Sequence, residues 1–383
     1  MSKRVLIIPL AWLCVFLLVC PVMAANEADE DLEGFFTLLG EDGEEIFWTG
    51  LQLGVGDQVI TADNKRYQVT AVNGYQAETR FVEEVHLMSE PEEAALAVAE
   101  NQAAVYPVTL LDRPVGVYCT HSDESYVPTE GGASVRAGGG ILHVAESFAR
   151  GLKRAGVEAI FDNTLHAPHD TAAYDRSRRT AENLMQRQLG ALFDIHRDTG
   201  PEEKYEAEVG GRKVAQVAIV IGRENPAMEA NLEFARRLKA VADRLYPGLV
   251  RGILIARGRY NQDLTPRAVL LEVGTHNIDR ASAERGAMLL AEAVPETLKS
   301  ISGSAEADRG SWSAVGWIVL LSVLGLGGYL LLSTGGIKEA GAKLRRMFGR
   351  EMASFFGPLE WTQKRFRRSR EESPRRPDRD DED

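Results

Sequence analysis

Apolar and polar residues alternate along this chain with two different periods, and the switch between them divides the sequence. Four short runs between residues 44 and 82 alternate residue by residue: Glu44 to Trp48, Gln58 to Thr61, Arg66 to Val72 and Gln76 to Val82. Gly54, Gly56, Asp63-Asn64 and Asn73-Gly74 separate them. A period of two broken by such residues is the pattern of successive β-hairpins, and Asn-Gly is the strongest of these turn signals. The expected product is a small curled or barrel-like β domain that, with its linker, occupies residues 25–110.

From Pro114 to Ile301 the pattern changes to apolar runs alternating with longer amphipathic stretches. It predicts strands over 115–120, 157–161, 191–195, 214–221, 251–255 and 268–273, and helices over 141–155, 173–190, 226–245 and 281–301. Such alternation implies an α/β domain, residues 111–303, built as a mainly parallel sheet flanked by helices. The Glu- and Ala-rich stretch from Glu90 to Gln102 is read as a connecting helix or linker.

Both ends carry targeting signals. Ser2-Lys3-Arg4 precedes an apolar run from Val5 to Cys20, and Val22-Met23-Ala24 offers small residues for cleavage before Ala25, so residues 1–24 are expected to be a signal peptide. Trp312 to Leu332 contains no charge and has the length of a transmembrane helix. Lys338, Lys343, Arg345, Arg346, Arg350 and the Lys364 to Arg370 cluster follow it, which predicts a cytoplasmic basic and charged tail over 333–383. The expected localisation is a single-pass protein of the cell membrane with its catalytic domain extracytoplasmic. At 383 residues, 44% hydrophobic and 26% charged, the chain has material for one sizeable α/β domain plus smaller pieces. Its net charge of -12 argues against a general nucleic-acid binder. Cys14 and Cys20 lie in the signal region, which leaves Cys119 without a disulfide partner in the mature chain.

Three segments place metal-capable or acid/base side chains just past apolar strand-type runs: Val117 to Glu124, Phe193 to Asp198 and Val269 to Gly274. In open α/β sheets ligands sit outside the carboxyl ends of the strands, so segments far apart in sequence can meet at one cleft. A catalytic zinc takes three ligands from histidine and carboxylate and keeps a fourth position for water. His121 and Glu124, separated by two residues, can reach one ion from a strand-exit turn, and His196 is the third candidate ligand. Glu272 lies in the otherwise apolar strand Ala268 to Val273, where a carboxylate is costly unless it is partnered. It is either one half of a buried ion pair with an arginine or a general base. Arg197 is either a clamp for a substrate carboxylate or oxyanion, or a salt-bridge partner of Asp194 or Asp198. His143, His166 and His169 are assigned to surface or capping roles, and Cys119 to a small buried apolar one.

The runs Thr120 to Tyr126, Asp162 to His166, Tyr174 to Ser177, Asp194 to Asp198, Arg259 to Pro266 and Leu271 to Gly274 together resemble the stage II sporulation protein P family, in order and over residues 113 to 300. The resemblance implies a zinc-dependent N-acetylmuramoyl-L-alanine amidase, which cuts peptidoglycan between the lactyl group of muramic acid and the first alanine of the stem peptide. It also implies a partner, stage II sporulation protein D, in thinning septal wall during engulfment. Carried over residue by residue, it makes His121 and His196 zinc ligands and Glu272 the catalytic carboxylate. In the wider amidase fold the carboxylate ligand comes from the first long helix, where this chain offers Glu146. Glu124 competes with it and is preferred, because the His-x-x-Glu spacing suits one ion. Where members commonly show His-Thr-His, this chain has Cys119-Thr120-His121. Members are often anchored through an N-terminal span, whereas the clear span expected here is C-terminal and the N-terminal hairpin domain is an addition. A zinc carboxypeptidase that trims stem peptides and a catalytically inactive wall-binding protein are the competing readings.

Overall fold

The computed structural model describes residues 34–88, 110–301, 320–322 and 324. The alternating N-terminal runs form β1 (Phe36–Leu39), β2 (Glu45–Thr49), β3 (Gln58–Thr61), β4 (Lys65–Asn73) and β5 (Gln76–Glu84). The β4–β5 turn sits one residue later than Asn73-Gly74 suggests: Asn73 pairs with Gln76, and Gly74 takes the left-handed φ of 60°.

The α/β region contributes β6 (Val115–Tyr118), the one-turn α1 (Val127–Glu130), α2 (Ile141–Arg154), β7 (Ala159–Phe161) and α3 (Ala173–Met185). It continues with β8 (Ala191–Asp198), β9 (Glu206–Val209), β10 (Arg212–Ala215), β11 (Val217–Gly222), α4 (Met228–Leu245), β12 (Val250–Ala256) and β13 (Ala268–Thr275). A last helix, α5, covers 280–301. Helix α3 ends short of its predicted limit because Gln188 turns left-handed, at φ 56°, and the chain leaves to start β8. Strand β8 runs on to Asp198, so His196 lies within the strand rather than beyond it.

Eleven strands form one sheet in the order β2-β1-β5-β4-β3-β12-β11-β13-β8-β6-β7. This corrects the expected fold class, for the sheet is mixed rather than mainly parallel. β7, β6, β8 and β13 run parallel, but β11 is antiparallel to β13 and β3 is antiparallel to β12. The reason lies between β8 and β11. A parallel return needs a crossover that carries the chain back along the sheet. Here the separate β9–β10 hairpin, turning through Gly210 and Gly211 at φ 58° and 75°, fills that connection without returning the chain, so β11 enters from the end where β8 left.

The N-terminal strands are likewise an extension of the same sheet. Strand β3 pairs with β12 from Gly252↔Thr61 to Ile255↔Gln58 and covers what would be an open edge, a liability for any sheet. Strand β12 bulges here, since Val217 pairs with Val250 while Ala218 pairs with Gly252. A Cβ on Gly252 would stand 2.6 Å from the Ile60 carbonyl oxygen, so only glycine allows this approach. Two buried ionic contacts hold the extension. Lys239 Nζ of α4 donates to Ala62 O at 3.0 Å and Asn64 Oδ1 at 2.8 Å. Asp198 Oδ1 accepts from Gly50 N at 2.6 Å, and its Oδ2 accepts from Tyr205 Oη at 2.9 Å.

Side chains alternate across the sheet as strand geometry requires. Phe193 and Ile195 of β8 face the larger core, where Phe193 meets Phe148 of α2 and Phe234 of α4 at ring-centroid distances of 4.9 and 6.0 Å. Leu192 faces the other side, with Leu184 and Ala181 of α3. Asp194 and His196 therefore share the α3 side of the sheet. Helix α2 buries Ile141, Val144, Ala145, Phe148 and Leu152 at helical spacing and leaves His143 and Glu146 exposed.

The chain divides into two units, Met1–Glu306 and Ala307–Asp383. The expected signal peptide lies outside the described residues, as does the 312–332 segment apart from Leu320, Leu321, Ser322 and Leu324. Among the described residues no helix is long and apolar enough to cross a membrane, which corrects the expected transmembrane helix and single-pass membrane localisation. An uncharged run has the composition of a span, but a span also needs a continuous helix of about 20 residues.

Candidate metal centre

Past the end of β6 the chain makes a tight turn in which Glu124 N donates to the His121 carbonyl at 3.1 Å. This puts the two side chains on one side, with His121 Nδ1 at 3.2 Å from Glu124 Oε1. The loop before α2 clamps the turn from outside: Val135 N donates to Asp123 O, Gly139 N to Ser122 O and Ile141 N to Glu124 O. Gly139 is obligatory, because a Cβ there would fall 1.9 Å from Glu124 O.

Strand β8 brings His196 to the same carboxylate, with Nδ1 3.1 Å from Glu124 Oε1. Glu124 Oε2 accepts from Arg197 N at 2.9 Å. His121, Glu124 and His196 are all buried, and one ligand atom from each lies within 4.8 Å of the others, a group that could hold a metal ion. The far nitrogens are engaged elsewhere. His121 Nε2 is 3.4 Å from the Asp170 carbonyl, and His196 Nε2 is 3.1 Å from Asp194 Oδ1. A ring that donates through Nε2 presents a lone pair at Nδ1, and two such lone pairs facing one carboxylate oxygen require a proton or a cation between them.

Electrostatics reflect that requirement. Burial works against charge on His196, but the Asp194 and Glu124 carboxylates outweigh it and hold its pKa well above the usual histidine value. Burial also opposes charge on Glu124, yet His196 and Arg197 hold its carboxyl well below the usual range. At His121 burial prevails, helped by the neighbouring His169 and His196, and the pKa is lowered.

Glu272 is the register partner of His196 on the adjacent strand β13 and is 5% exposed. Arg197 is 1% exposed, and its Nη2 donates to the Ala133 carbonyl at 3.0 Å, so the guanidinium braces the loop that wraps the ligand turn. Asp198, one of its expected partners, lies 3.8 Å from Arg251 Nη1. Glu146 lies on the solvent face of α2, away from the cluster, as does His143. His166 is buried with both ring nitrogens engaged, Nδ1 with Cys119 O at 2.8 Å and Nε2 with Thr180 Oγ1 at 2.9 Å. Cys119 is buried, and burial pushes its thiol well above the usual value.

Several neighbours of the centre went unread in the sequence. His169, given there a surface or capping role, stacks on His121 at 4.0 Å between ring centroids, with Nδ1 3.6 Å from Asp123 Oδ1. Tyr174 of α3 stands edge-on to His121 at 5.4 Å. Asp194 precedes His196 by two residues, and the period of a strand alone would have placed it on the same face.

Fold and site together define an α/β protein with a buried His-Glu-His centre at the end of a mixed sheet. The chain belongs to the family of stage II sporulation protein P (SpoIIP), whose family model matches residues 56–295. It is 29% identical over 238 residues to the stage II sporulation protein P of Bacillus subtilis (strain 168), a match covering 55% of this chain and 59% of that protein, less than two thirds of the relative's length. Among solved structures it is similar to the N-acetylmuramyl-L-alanine amidase Ami1 from Mycobacterium smegmatis, at 17% identity and TM-score 0.35, over 51% of this chain and all of that one. It is also similar to the N-acetylmuramoyl-L-alanine amidase AmiC2 of Nostoc punctiforme, at 15% identity and TM-score 0.32, over 49% of this chain and 94% of the other.

Proposed function

We propose that this protein is a zinc-dependent N-acetylmuramoyl-L-alanine amidase that cleaves peptidoglycan between muramic acid and the stem peptide, in the septal wall of sporulating cells. The observation that carries the reading is the convergence of His121 Nδ1, His196 Nδ1 and Glu124 Oε1 on one point, with Glu272 beside His196. Membership of a sporulation-protein family supports the biological setting.

The residues fit zinc. Two imidazoles and one carboxylate are a common catalytic ligand set, and their outer nitrogens lie near the acceptors Asp170 O, at 3.4 Å, and Asp194 Oδ1, at 3.1 Å. Zinc held there would polarise the scissile carbonyl and bring the pKa of a water towards neutrality. Glu272 then takes the proton of the attacking water and delivers it to the nitrogen of the leaving stem peptide, which departs as a neutral amine. Arg197 holds Glu124 through its backbone N–H and fixes the 133 region through its guanidinium, a positioning role.

The test is hydrolysis of purified sacculi by the full-length chain. The expected products are stem peptides with a free N-terminal alanine, lost on chelation and restored by zinc. Release of C-terminal residues alone would favour a carboxypeptidase, and binding without release would favour an inactive wall-binding protein. Co-purification with stage II sporulation protein D tests the partner that the family suggests.

A further inference from the structure

Resting on the metal-centre reading above, we infer that Asn261, Ser177 and Thr120 form a one-way hydrogen-bond chain that fixes Asp194 against His196 and so decides which imidazole nitrogen is left for the metal. Thr120 donates twice to Asp194, from its backbone N to Oδ1 at 2.7 Å and from Oγ1 to Oδ2 at 2.5 Å. Its only hydroxyl proton is thereby used. With that proton on Asp194, the 2.8 Å contact between Thr120 Oγ1 and Ser177 Oγ is donated by Ser177, whose hydroxyl also has the Tyr174 carbonyl within reach at the longer 3.2 Å. Asn261 Nδ2 donates to Ser177 Oγ at 3.1 Å and to the Tyr174 carbonyl at 3.0 Å. The Asn261 amide is itself oriented, since its Oδ1 accepts from Arg178 Nη1 at 3.3 Å, and Arg178 is anchored by two bonds to Asp263 at 2.9 and 2.7 Å.

The hydroxyls of Ser177 and Thr120 align in this way towards Asp194, whose two oxygens only accept. His196 Nε2 lies 3.1 Å from Oδ1, an ion-pair contact without hydrogen-bond geometry, and an oxygen that can only accept favours a protonated nitrogen there, which leaves the Nδ1 lone pair facing Glu124. Thr120, Ser177, Asp194 and Asn261 are all buried, so water cannot replace a lost link.

The backbone at the far end of the series is unusual in the same place. Tyr260 and Asn261 both take left-handed conformations, at φ 52° and 54°. Asparagine tolerates this region, but a buried tyrosine does so only where its surroundings impose it, and such outliers gather at functional sites. Gln262 pins the loop to β11 through Gly222 N at 2.9 Å and Val220 O at 2.8 Å. The loop that joins β12 to β13 is thus a rigid bracket for a metal ligand that it does not touch.

Zinc affinity of the full-length chain, read by competition with a chromophoric chelator, tests the inference. Ser177→Ala and Asn261→Gly are each expected to weaken zinc by about 10- to 100-fold, the usual effect of removing a group that orients a ligand. The glycine keeps the left-handed backbone and removes only the amide, and Thr120→Ser, which keeps the hydroxyl, is expected to bind as the unsubstituted chain does. Nitrogen NMR of the metal-free chain at alkaline pH reads the tautomer directly: Nε2–H on His196, becoming a mixture in the two disrupting variants. Unchanged affinity and an unchanged tautomer in both variants would overturn the inference. An unsubstituted chain that binds no zinc overturns the metal-centre reading instead, while the tautomer measurement still decides the hydrogen-bond chain.

Discussion

Glu272 and His196 are direct register partners on the parallel strands β13 and β8, so their side chains leave the same face of the sheet. Neighbouring strands lie ~4.8 Å apart, and two side chains set side by side in this way can reach one point without a loop having to order either of them. The pair has this geometry because β8 and β13 are both central strands of the sheet, β13 between β11 and β8 and β8 between β13 and β6.

Replacing Glu272 by glutamine removes the proton acceptor and keeps the shape. Stem-peptide release should fall by about 10²- to 10⁴-fold while zinc content stays the same. Rate and metal content measured on one preparation check this, and full activity in the variant would sink the mechanism.

Glu124 and Glu146 are separated by a paired experiment. Glu124→Gln should weaken zinc by more than the ~10- to 100-fold typical of groups that merely orient a ligand. Glu146→Gln, on the exposed face of α2, should leave zinc affinity unchanged and stability within about 0.5 kcal/mol. The opposite pattern would move the carboxylate ligand to the helix.

Proton linkage follows from the signs of the pKa shifts. His196 is raised, so its stabilising contribution is complete below about pH 6.5 and is lost as pH rises through its folded value. Glu124 is lowered, so its contribution is complete above about pH 4.3 and is lost as pH falls through its folded value. Metal-free protein should therefore gain most from this pair between about pH 4.3 and 6.5. At neutral pH zinc must displace the His196 proton, and calorimetry in buffers of different ionisation enthalpy should detect its release.

Lys239→Met should lower stability by about 2 kcal/mol, less than for a fully buried pair because Asp243, its partner at 2.5 Å, keeps contact with solvent. Its bonds to Ala62 O and Asn64 Oδ1 tie α4 to the β3–β4 turn, so the loss should appear as early deprotection of β3 and β4 in amide exchange.

Much of the site was legible because its chemistry is local. His121 and Glu124 are three residues apart, and Glu272 is conspicuous in an apolar strand. The sheet was less legible: no helix is predicted between the strands over 191–195 and 214–221, and Gly210-Gly211 is a hairpin-type turn, yet the general alternation of strands and helices still reads as a mainly parallel sheet. Nor could β3 announce that it pairs with β12, almost 200 residues away. Asn261 and Ser177 read as loop and helix residues, and their common path to Asp194 exists only after folding.

By itself, the sequence determined which side chains could bind a metal and which segments would be strands or helices, because residue chemistry and hydrophobic period are properties of short stretches. Only the tertiary structure decided that Glu124 rather than Glu146 meets both histidines, that the strands run in mixed directions, and that Asp194 lies 3.1 Å from His196. Those outcomes depend on which distant strands pair and in what register, and that is settled by burying all the apolar faces of the sheet at once.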